Sequence, residues 1–119
     1  MLLSIGVLVA GGLGAVLRFL VDSAVARRAA RSFPYGTFVV NISGAALLGL
    51  LSSLALSRHV ALIADTAFVG SYTTFSTWIL ETQRLTEERQ YRKAVLNIVV
   101  SLALGIAAVA LGRLIGLHL

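Results

Sequence analysis

Long runs of apolar residues alternate with short charged segments along the whole chain. Each apolar run is close to the roughly 20 residues that a helix needs to cross the hydrocarbon core of a bilayer. The pattern therefore predicts an all-α membrane protein, one membrane domain over residues 1–119 with four transmembrane helices. The segment 81–93, with seven charges in thirteen residues, must contact water or headgroups. We place the four spans at about residues 2–22, 36–57, 60–80 and 94–115.

The composition supports this interpretation and excludes several other classes of protein. Of the 119 residues, 58% are hydrophobic and 13% are charged, more apolar surface than a soluble domain of this length can bury. There is no cysteine, so disulfides and thiol-ligated metals are excluded. The net charge of +5 comes from arginines that flank the apolar runs, which favours contact with the lipid bilayer and no nucleic acid partner.

Glycines recur inside three of the predicted spans. Small residues let helix backbones approach closely in lipid, where no hydrophobic force drives association. Glycine is also common in membrane helices without such a role, so both interpretations stay open at this point. The glycines concerned are Gly11, Gly12, Gly14, Gly44, Gly49, Gly105 and Gly112.

Three groups of polar residues lie inside the predicted spans, where lipid offers no hydrogen bonds. Asn41 lies in the second span, and Asn97 and Ser101 lie one helical turn apart in the fourth. The third group is the segment 70–77, GSYTTFST, in which six of the last seven residues carry a hydroxyl. A glycine followed by hydroxyl and β-branched residues forms a helix poorly. We therefore expect a break in the third transmembrane helix.

A helix break inside a bilayer has a functional implication. It frees backbone N–H and C=O groups, which are tolerated only where they are buried in protein or line a cavity. Channels and transporters place ion sites at such interruptions. Isolated hydroxyls such as those of Ser52 and Ser53 carry no such implication, since they usually bond to a carbonyl one turn back.

Acidic residues are absent from the middle of the spans, because Asp22, Asp65 and Glu81 all fall near span ends. A proton-coupled exporter of cationic drugs needs a central carboxylate, and acidic rings line cation channels, so both are disfavoured. The sequence contains no nucleophile–base pair, metal-ligand cluster or phosphate-binding loop, and both histidines lie at span ends. We therefore do not expect an enzyme.

The hydrogen-bond donors that remain in the spans are amides, hydroxyls and one indole N–H. Together with the positive edges of aromatic rings, these groups suit an uncharged path for a small anion. Phe75 and Trp78 lie three residues apart, hence on one face if the chain is helical there. Burial in the core or exposure to lipid is the alternative explanation for both rings.

Three motifs resemble the CrcB/Fluc family of fluoride channels: GGLGAVLRF at 11–19, GTFVVN at 36–41 and GSYTTFSTW at 70–78. The resemblance covers essentially the whole chain. It implies a channel that exports fluoride passively across the inner (plasma) membrane and so lowers cytoplasmic fluoride. It also implies an antiparallel dimer with fluoride paths near the interface, and a structural sodium ion on the two-fold axis.

The resemblance also assigns residues. The sodium ion would be held by the backbone carbonyls of Gly70 and Thr73. A vestibule arginine corresponds to Arg18, and the polar track of the fourth span would include Ser101, with Asn97 and Gly105 at its other stations. The residues of the implied fluoride pathway are Asn41, Phe75, Trp78, Thr74, Ser101 and Arg18.

The chain departs from the family pattern at three of these positions. Trp78 replaces the usual second phenylalanine, and its larger ring could narrow the path while its indole adds an N–H donor. Asn97 occupies a place where some members have tyrosine, and Gly105 lacks the hydroxyl that others have there. The fourth-span track is therefore the least secure part of the assignment.

The distribution of basic residues bears on the partner of the dimer. One side of the predicted topology holds Arg58 and Arg113, and the other holds seven basic residues, which predicts both termini outside. An antiparallel homodimer requires a chain that inserts in both orientations, so a dimer with an oppositely oriented homologue is the alternative. The seven residues are Arg27, Arg28, Arg31, Arg84, Arg89, Arg92 and Lys93.

Two other functions compete with the fluoride channel at this stage. A small multidrug-type secondary transporter has the same number of spans, although it needs the central carboxylate that is missing here. A purely structural membrane protein is the other alternative. Such a bundle has no need for the donors of Asn41 and of the segment 70–78 in the hydrocarbon.

Overall fold

The computed structural model describes residues 1–28, 33–54 and 56–119, and every regular element in this part of the chain is a helix. Two of the helices are short, and a π-helical segment joins them. In chain order the elements are α1 (Leu2–Arg28), α2 (Tyr35–Ser53), α3 (Arg58–Ala61), the π-helical segment (Leu62–Val69), α4 (Gly70–Tyr72), α5 (Ser76–Glu87) and α6 (Tyr91–Leu117).

Within the described residues, three helices are long and apolar enough to cross a membrane, namely α1, α2 and α6. They coincide with the first, second and fourth predicted spans. Both α1 and α6 extend beyond the predicted limits into charged residues, whose long side chains can reach the headgroups. In contrast, α2 ends at Ser53, a turn before the predicted limit, because Leu54 has an extended backbone with ψ 144°.

The third predicted span corresponds to a chain of shorter helical pieces. The α3 helix, the π-helical segment and α4 follow one another without a gap from Arg58 to Tyr72, and α5 begins at Ser76. Each piece is too short by itself to count among the three long apolar helices. The arrangement supports a multi-pass membrane protein in which the third region differs from the other three.

Contacts between the helices give their directions. Gly105 lies near Ile42 and Gly116 lies near Ser53, so α2 and α6 run parallel. Gly6 lies against Ile63, and Gly14 lies against Phe68, so α1 runs parallel to the pieces of the third region. The longest dimension of the molecule is 48 Å, which exceeds the roughly 30 Å thickness of a bilayer's hydrocarbon core.

These directions separate the basic residues into two ends of the molecule. Arg58 begins α3 and Arg113 lies in the last turns of α6, at one end. Arg31, which the charge count also included, lies outside the described residues. The other six basic residues of that count lie at the opposite end: Arg27, Arg28, Arg84, Arg89, Arg92 and Lys93.

The glycines fall into two groups in the structure. A Cβ added at Gly49 would collide with the carbonyl oxygen of Val109, and one at Gly112 with that of Ala46. Similar backbone or side-chain contacts surround Gly14 and Gly44, so close approach explains these four. A Cβ at Gly12 would meet nothing within 4 Å. At Gly11 and Gly105 the nearest atom would lie 3.9 Å or more away, so close packing explains none of the last three.

Candidate functional site: a non-helical junction beside a row of cavities

The residues between α4 and α5 form the polar junction, which we define as Thr73, Thr74 and Phe75. The helix before the junction ends at Tyr72, and Thr73 is extended with φ −80° and ψ 163°. The next helix begins at Ser76. Thr73 keeps the N–H bond of the preceding helix, and Phe75 keeps the carbonyl bond of the next one. The backbone groups of Thr74, which lies between them, therefore need other partners.

Asn41 of α2 supplies two of those partners. Its Nδ2 donates to the carbonyl oxygen of Thr74 at 2.8 Å, and its Oδ1 accepts the N–H of Thr74 at 2.8 Å. One side-chain amide thus satisfies both backbone groups of a residue 33 positions away in sequence. In a continuous helix the N–H of Thr74 would bond to the carbonyl of Gly70. Asn41 therefore leaves that carbonyl without its helical donor.

The side chain of Thr74 acts in the same way on the start of α5. Its Oγ1 accepts the N–H of Thr77 at 3.2 Å, in the manner of a helix cap. That N–H would otherwise bond to the carbonyl of Thr73. The carbonyls of Gly70 and Thr73 have thus both lost the N–H that would satisfy them in a helix.

The N-terminal side of the junction is packed tightly against α2. The hydroxyls of Tyr72 and Ser43 are 2.8 Å apart and share a hydrogen bond. Thr73 directs its Oγ1 to the carbonyl of Val69 at 3.0 Å. Gly44 lies directly under both Tyr72 and Thr73, and a Cβ there would collide with Thr73 Cγ2. α2 thus holds the junction both at its N-terminal side and at Thr74 in its middle.

Three cavities follow one another along the molecule and pass the junction. The first, of about 210 Å³, lies between α1 and α2 and is lined by Arg18 and Thr74. The second, of about 300 Å³, is lined by Thr74 and Ser101. The third, of about 480 Å³, begins at Ser101 and continues along α6 to Val109. Neighbouring cavities share lining residues: Thr74 lines the first and the second, and Ser101 lines the second and the third.

The structure brings the predicted pathway residues to this row of cavities. Arg18 lines the first cavity, together with Asp22 and the buried hydroxyl of Thr37. Near that end, the Oε1 atom of Glu81 is buried and has no hydrogen-bond partner among the residues that the structure describes. Lining the second cavity are Asn41, Thr74, Phe75, Trp78 and Ser101.

Phe75 and Trp78 meet edge to face in the wall of the second cavity. Their ring centroids are 5.6 Å apart, and the ring planes are inclined at 70°. Phe75 is 70% exposed, whereas Trp78 is only 9% exposed. The two rings thus share one face, as the three-residue spacing indicates, but they differ in how firmly the protein holds them.

The indole N–H of Trp78 is not free to bind an anion. It donates to the backbone carbonyl oxygen of Asn97 at 3.2 Å. The amide of Asn97 in turn donates to Thr82 Oγ1 at 2.9 Å and is buried within the protein. The expectation that Trp78 adds an N–H donor to the pathway is therefore wrong, because that donor is already used. Asn97 is likewise turned towards α5, and it is absent from the lining of all three cavities.

Ser101 and Gly105 lie where the second and third cavities meet. The hydroxyl oxygen of Ser101 is buried and has no hydrogen-bond partner within the described residues. A buried hydroxyl without a partner costs about 1–3 kcal/mol, and this one belongs to a side chain that lines two cavities, as a ligand-facing donor would. Gly105 contributes only backbone at this point.

Several residues of the site escaped the sequence analysis. Thr37 lies within the GTFVVN motif, and Ser43 lies two positions after Asn41, yet nothing in the sequence pairs them with the third region. Thr82 follows Trp78 by one helical turn, which is the only sequence signal for the bond between its hydroxyl and the Trp78 carbonyl. The local interpretation of Ser52 and Ser53 is confirmed, since both donate to carbonyls three residues before them.

A metal site built from side chains is not found in the part of the chain that the structure describes. No group of three or more His, Cys, Asp or Glu residues lies close enough there to hold an ion. Backbone carbonyls are a separate kind of ligand, and those of Gly70 and Thr73 lack the helical donors, because the N–H groups of Thr74 and Thr77 bond to side chains.

Comparison with known proteins identifies the family of the chain. A protein-family model described as "CrcB-like protein, Camphor Resistance (CrcB)" matches residues 5–113. The chain is 69% identical over 109 residues to "Fluoride-specific ion channel FluC 2" of Mycolicibacterium paratuberculosis, which covers 92% of this chain and 89% of the relative. The protein of that name from Mycobacterium tuberculosis H37Rv is 66% identical, with 92% and 86% covered.

More distant relatives carry a similar name. "Fluoride-specific ion channel FluC 1" of Leifsonia xyli is 43% identical over 119 residues, which cover 97% of this chain and 87% of the relative. The family match includes the GGLGAVLRF, GTFVVN and GSYTTFSTW motifs, whose residues line the cavities described above. The chain therefore belongs to the CrcB-like family.

Proposed function

We propose that the chain is a fluoride-specific ion channel, which lets fluoride leave the cell passively and so lowers cytoplasmic fluoride. The observation that carries this proposal is the row of three cavities, which share Thr74 and Ser101 as lining residues. Neutral donors line the second of them, and Arg18 lies at the first. Relatives that match nearly the whole chain are named fluoride-specific ion channels. An ion channel has no reaction to catalyse, and the protein is not an enzyme.

The chemistry of the lining suits a small, strongly hydrated anion. Fluoride must exchange its water for other donors, and hydroxyls and aromatic edges can supply them without a full positive charge. Conduction also requires that binding be weak enough to release the ion. Arg18 at the first cavity can concentrate anions near the entrance. A fixed cation deep in the path would instead retain the anion, and the second cavity is lined by none.

We further propose that the channel is an antiparallel dimer, formed with a second copy or with an oppositely oriented homologue. The second and third cavities are bordered by exposed apolar side chains, including Phe75, Leu102 and Ile106. A path for an anion needs a wall on this side that excludes lipid, and one chain does not supply it. The unequal numbers of basic residues at the two ends leave both kinds of partner open.

A structural sodium ion at the dimer interface fits the chemistry of the junction. The N–H groups of Thr74 and Thr77 are diverted to side chains, which leaves the carbonyls of Gly70 and Thr73 available. Gly70 is exposed, and no atom lies within 4 Å of the place where a side chain would begin. Both carbonyls would hold the ion together with those of the partner, and the ion would fix the geometry of the break that we propose for the third membrane span.

We place the channel in the inner (plasma) membrane, as a multi-pass protein in contact with lipid on its outer faces. The alternative of a multidrug-type transporter requires a carboxylate that alternates between proton and substrate in the middle of the path. The second and third cavities have no acidic residue in their linings. The names of the relatives give that alternative no support either.

The proposal is tested by reconstituting the purified protein in liposomes and measuring the efflux of fluoride and of chloride under an applied potential. We expect rapid fluoride efflux, negligible chloride efflux and no dependence on a proton gradient. Exchange that requires a proton gradient would instead favour the transporter. Equal rates for both halides would contradict a fluoride-specific channel.

A variant of Phe75 tests whether the second cavity belongs to the path. Phe75→Ile keeps an apolar side chain but removes the ring edge, so we expect fluoride efflux to fall to the level of protein-free liposomes. Because Phe75 is 70% exposed in the single chain, the fold of each chain should be retained, and cross-linking should still detect dimers. An unchanged efflux rate would remove Phe75 from the path.

A further inference from the structure

Trp78 is held by a closed ring of hydrogen bonds between α5 and α6. Its Nε1 donates to the carbonyl oxygen of Asn97 at 3.2 Å, and the Asn97 amide donates to Thr82 Oγ1 at 2.9 Å. The Thr82 hydroxyl donates to the carbonyl oxygen of Trp78 at 2.9 Å, which closes the ring. The three residues are 9%, 1% and 8% exposed respectively. Every member of the ring is therefore nearly removed from lipid and water.

The hydroxyl of Thr82 determines the orientation of the amide. Its single proton is given to the Trp78 carbonyl, so Thr82 Oγ1 can only accept from Asn97. Asn97 must then present its NH₂ group to Thr82, which leaves its Oδ1 atom buried and without a partner in the described part of the chain. Retaining such an orphan acceptor destabilises the folded chain, because the oxygen has given up its bonds to water without replacing them. An apolar side chain would avoid this cost, so packing alone does not explain an asparagine at this position.

The ring fixes the indole in one direction. Rotation of the Trp78 side chain would leave the N–H unpaired in a buried environment, which is unfavourable. The bond from Asn97 to Thr82 joins the two helices at the level of the indole, so it also fixes how closely α5 approaches α6. Trp78 therefore presents the carbon atoms of its indole, and not its N–H, to the second cavity. The centroid of its ring lies 5.6 Å from that of Phe75.

From this geometry we infer that Asn97 and Thr82 are positioning residues for selectivity: they hold the Trp78 ring so that it sets the clearance of the second cavity and excludes halides larger than fluoride. The inference rests on the proposed function, since it concerns the path of the same channel. Trp78 and Phe75 are the two large rings in the cavity wall, so a small movement of the fixed ring changes the opening directly.

The first test compares two threonines on successive turns of α5. Thr82→Val removes the hydroxyl from the ring and keeps the shape of the side chain. Thr86→Val is the matched control, because Thr86 Oγ1 also bonds to a carbonyl one turn back, at 3.0 Å, and lies outside the ring. Fluoride and chloride efflux are measured for both variants and for the unmodified channel in liposomes.

We expect Thr82→Val to lower the ratio of fluoride to chloride efflux by about tenfold, the factor that corresponds to about 1.4 kcal/mol, within the range of one net hydrogen bond. Thr82→Ser should restore the ratio, and Thr86→Val should leave it unchanged. A Thr82→Val channel with the original ratio would overturn the inference. If the unmodified channel conducts no fluoride, the proposed function fails instead, so the two failures can be told apart.

A second measurement separates positioning from a general structural effect. Trp78 is the only tryptophan of the chain, so the emission maximum and its quenching by acrylamide report on this ring alone. Thr82→Val should shift the emission to longer wavelength and increase quenching, and Thr86→Val should not. Changed emission with an unchanged halide ratio would also overturn the inference.

A double variant covers the case in which Thr82→Val folds poorly. Asn97→Leu should lower the halide ratio in the unmodified channel. Trp78→Phe, which restores the residue usual in the family, removes the indole N–H and so opens the ring. Adding Asn97→Leu to Trp78→Phe should then lower the ratio no further, because both changes act through the same ring. Additive effects of the two substitutions would show that Asn97 acts independently of Trp78, and would contradict the proposal.

Discussion

Two contacts of α2 with the rest of the molecule are built on opposite principles. Along α6, the contact depends on glycines: Gly49 and Gly112 leave room for backbone atoms of the facing helix. At the polar junction, the contact depends on hydrogen bonds: Asn41 satisfies both backbone groups of Thr74, and Ser43 bonds to Tyr72. The first contact needs an absence of side chain, and the second needs particular side-chain atoms.

We expect the glycine contact to determine the stability of the protein and the polar junction to determine ion transport. In lipid, close backbone approach is a main source of helix association, so the glycine contact should determine whether the chain folds. The junction leaves two carbonyls free and places Thr74 between two cavities, so it should determine whether the folded protein conducts. Substitutions at the two contacts should therefore fail in different assays.

The largest expected effect is on folding, at the glycine contact. Gly112→Val would place two methyl groups against the Ala46 carbonyl and the Leu50 N–H, where even a Cβ would lie 2.9 Å from the Leu50 nitrogen. Overpacking of this kind costs about 1–3 kcal/mol or more. We expect little monodisperse protein by size-exclusion chromatography and a lower midpoint of thermal unfolding.

Gly105 of the same helix is the matched control for that experiment. A Cβ at Gly105 would lie 3.9 Å from Ile42 Cδ1, an ordinary contact. Gly105→Ala should therefore fold as well as the unmodified chain. Equal yield and equal unfolding midpoints for the two variants would remove the distinction between the two contacts.

The smallest expected effect on stability lies at Ser101, where a substitution should lower fluoride efflux without destabilising the protein. Its buried hydroxyl has no partner, so Ser101→Ala should leave the unfolding midpoint unchanged or raise it slightly. Fluoride efflux should nevertheless fall by about tenfold, because a hydrogen bond to a charged ligand is worth about 1.5–3 kcal/mol. Ser52→Ala, which removes a hydroxyl bonded locally to Gly49, should change neither quantity. A loss of stability without a loss of efflux in Ser101→Ala would contradict its place in the path.

Sequence patterns predicted much of the fold because the bilayer constrains it strongly. Three of the predicted spans coincide with long apolar helices, since a lipid-facing helix must be apolar over a fixed length. The family motifs also identified the residues that line the cavities. Asn41 was singled out because an amide within an apolar span needs a partner, and the structure pairs it with the backbone of Thr74.

The sequence did not predict which residues of different helices form hydrogen bonds with one another. Asn41 and Thr74 are 33 residues apart, and no periodicity relates residues on different helices. The same holds for the indole of Trp78, whose N–H was expected in the pathway and instead bonds to the Asn97 carbonyl. Sequence showed which donors exist, but the packing of α5 against α6 decided which of them are already used.

The most direct test of the central claim is the fluoride efflux of Asn41→Leu, measured in liposomes beside the unmodified channel. Leucine is similar in size but forms neither bond to Thr74, so the backbone of the junction loses its partners. We predict that Asn41→Leu keeps its helical content by circular dichroism and conducts fluoride no faster than protein-free liposomes leak it. A folded Asn41→Leu protein with the efflux rate of the unmodified channel would contradict the claim that the junction held by Asn41 forms the path.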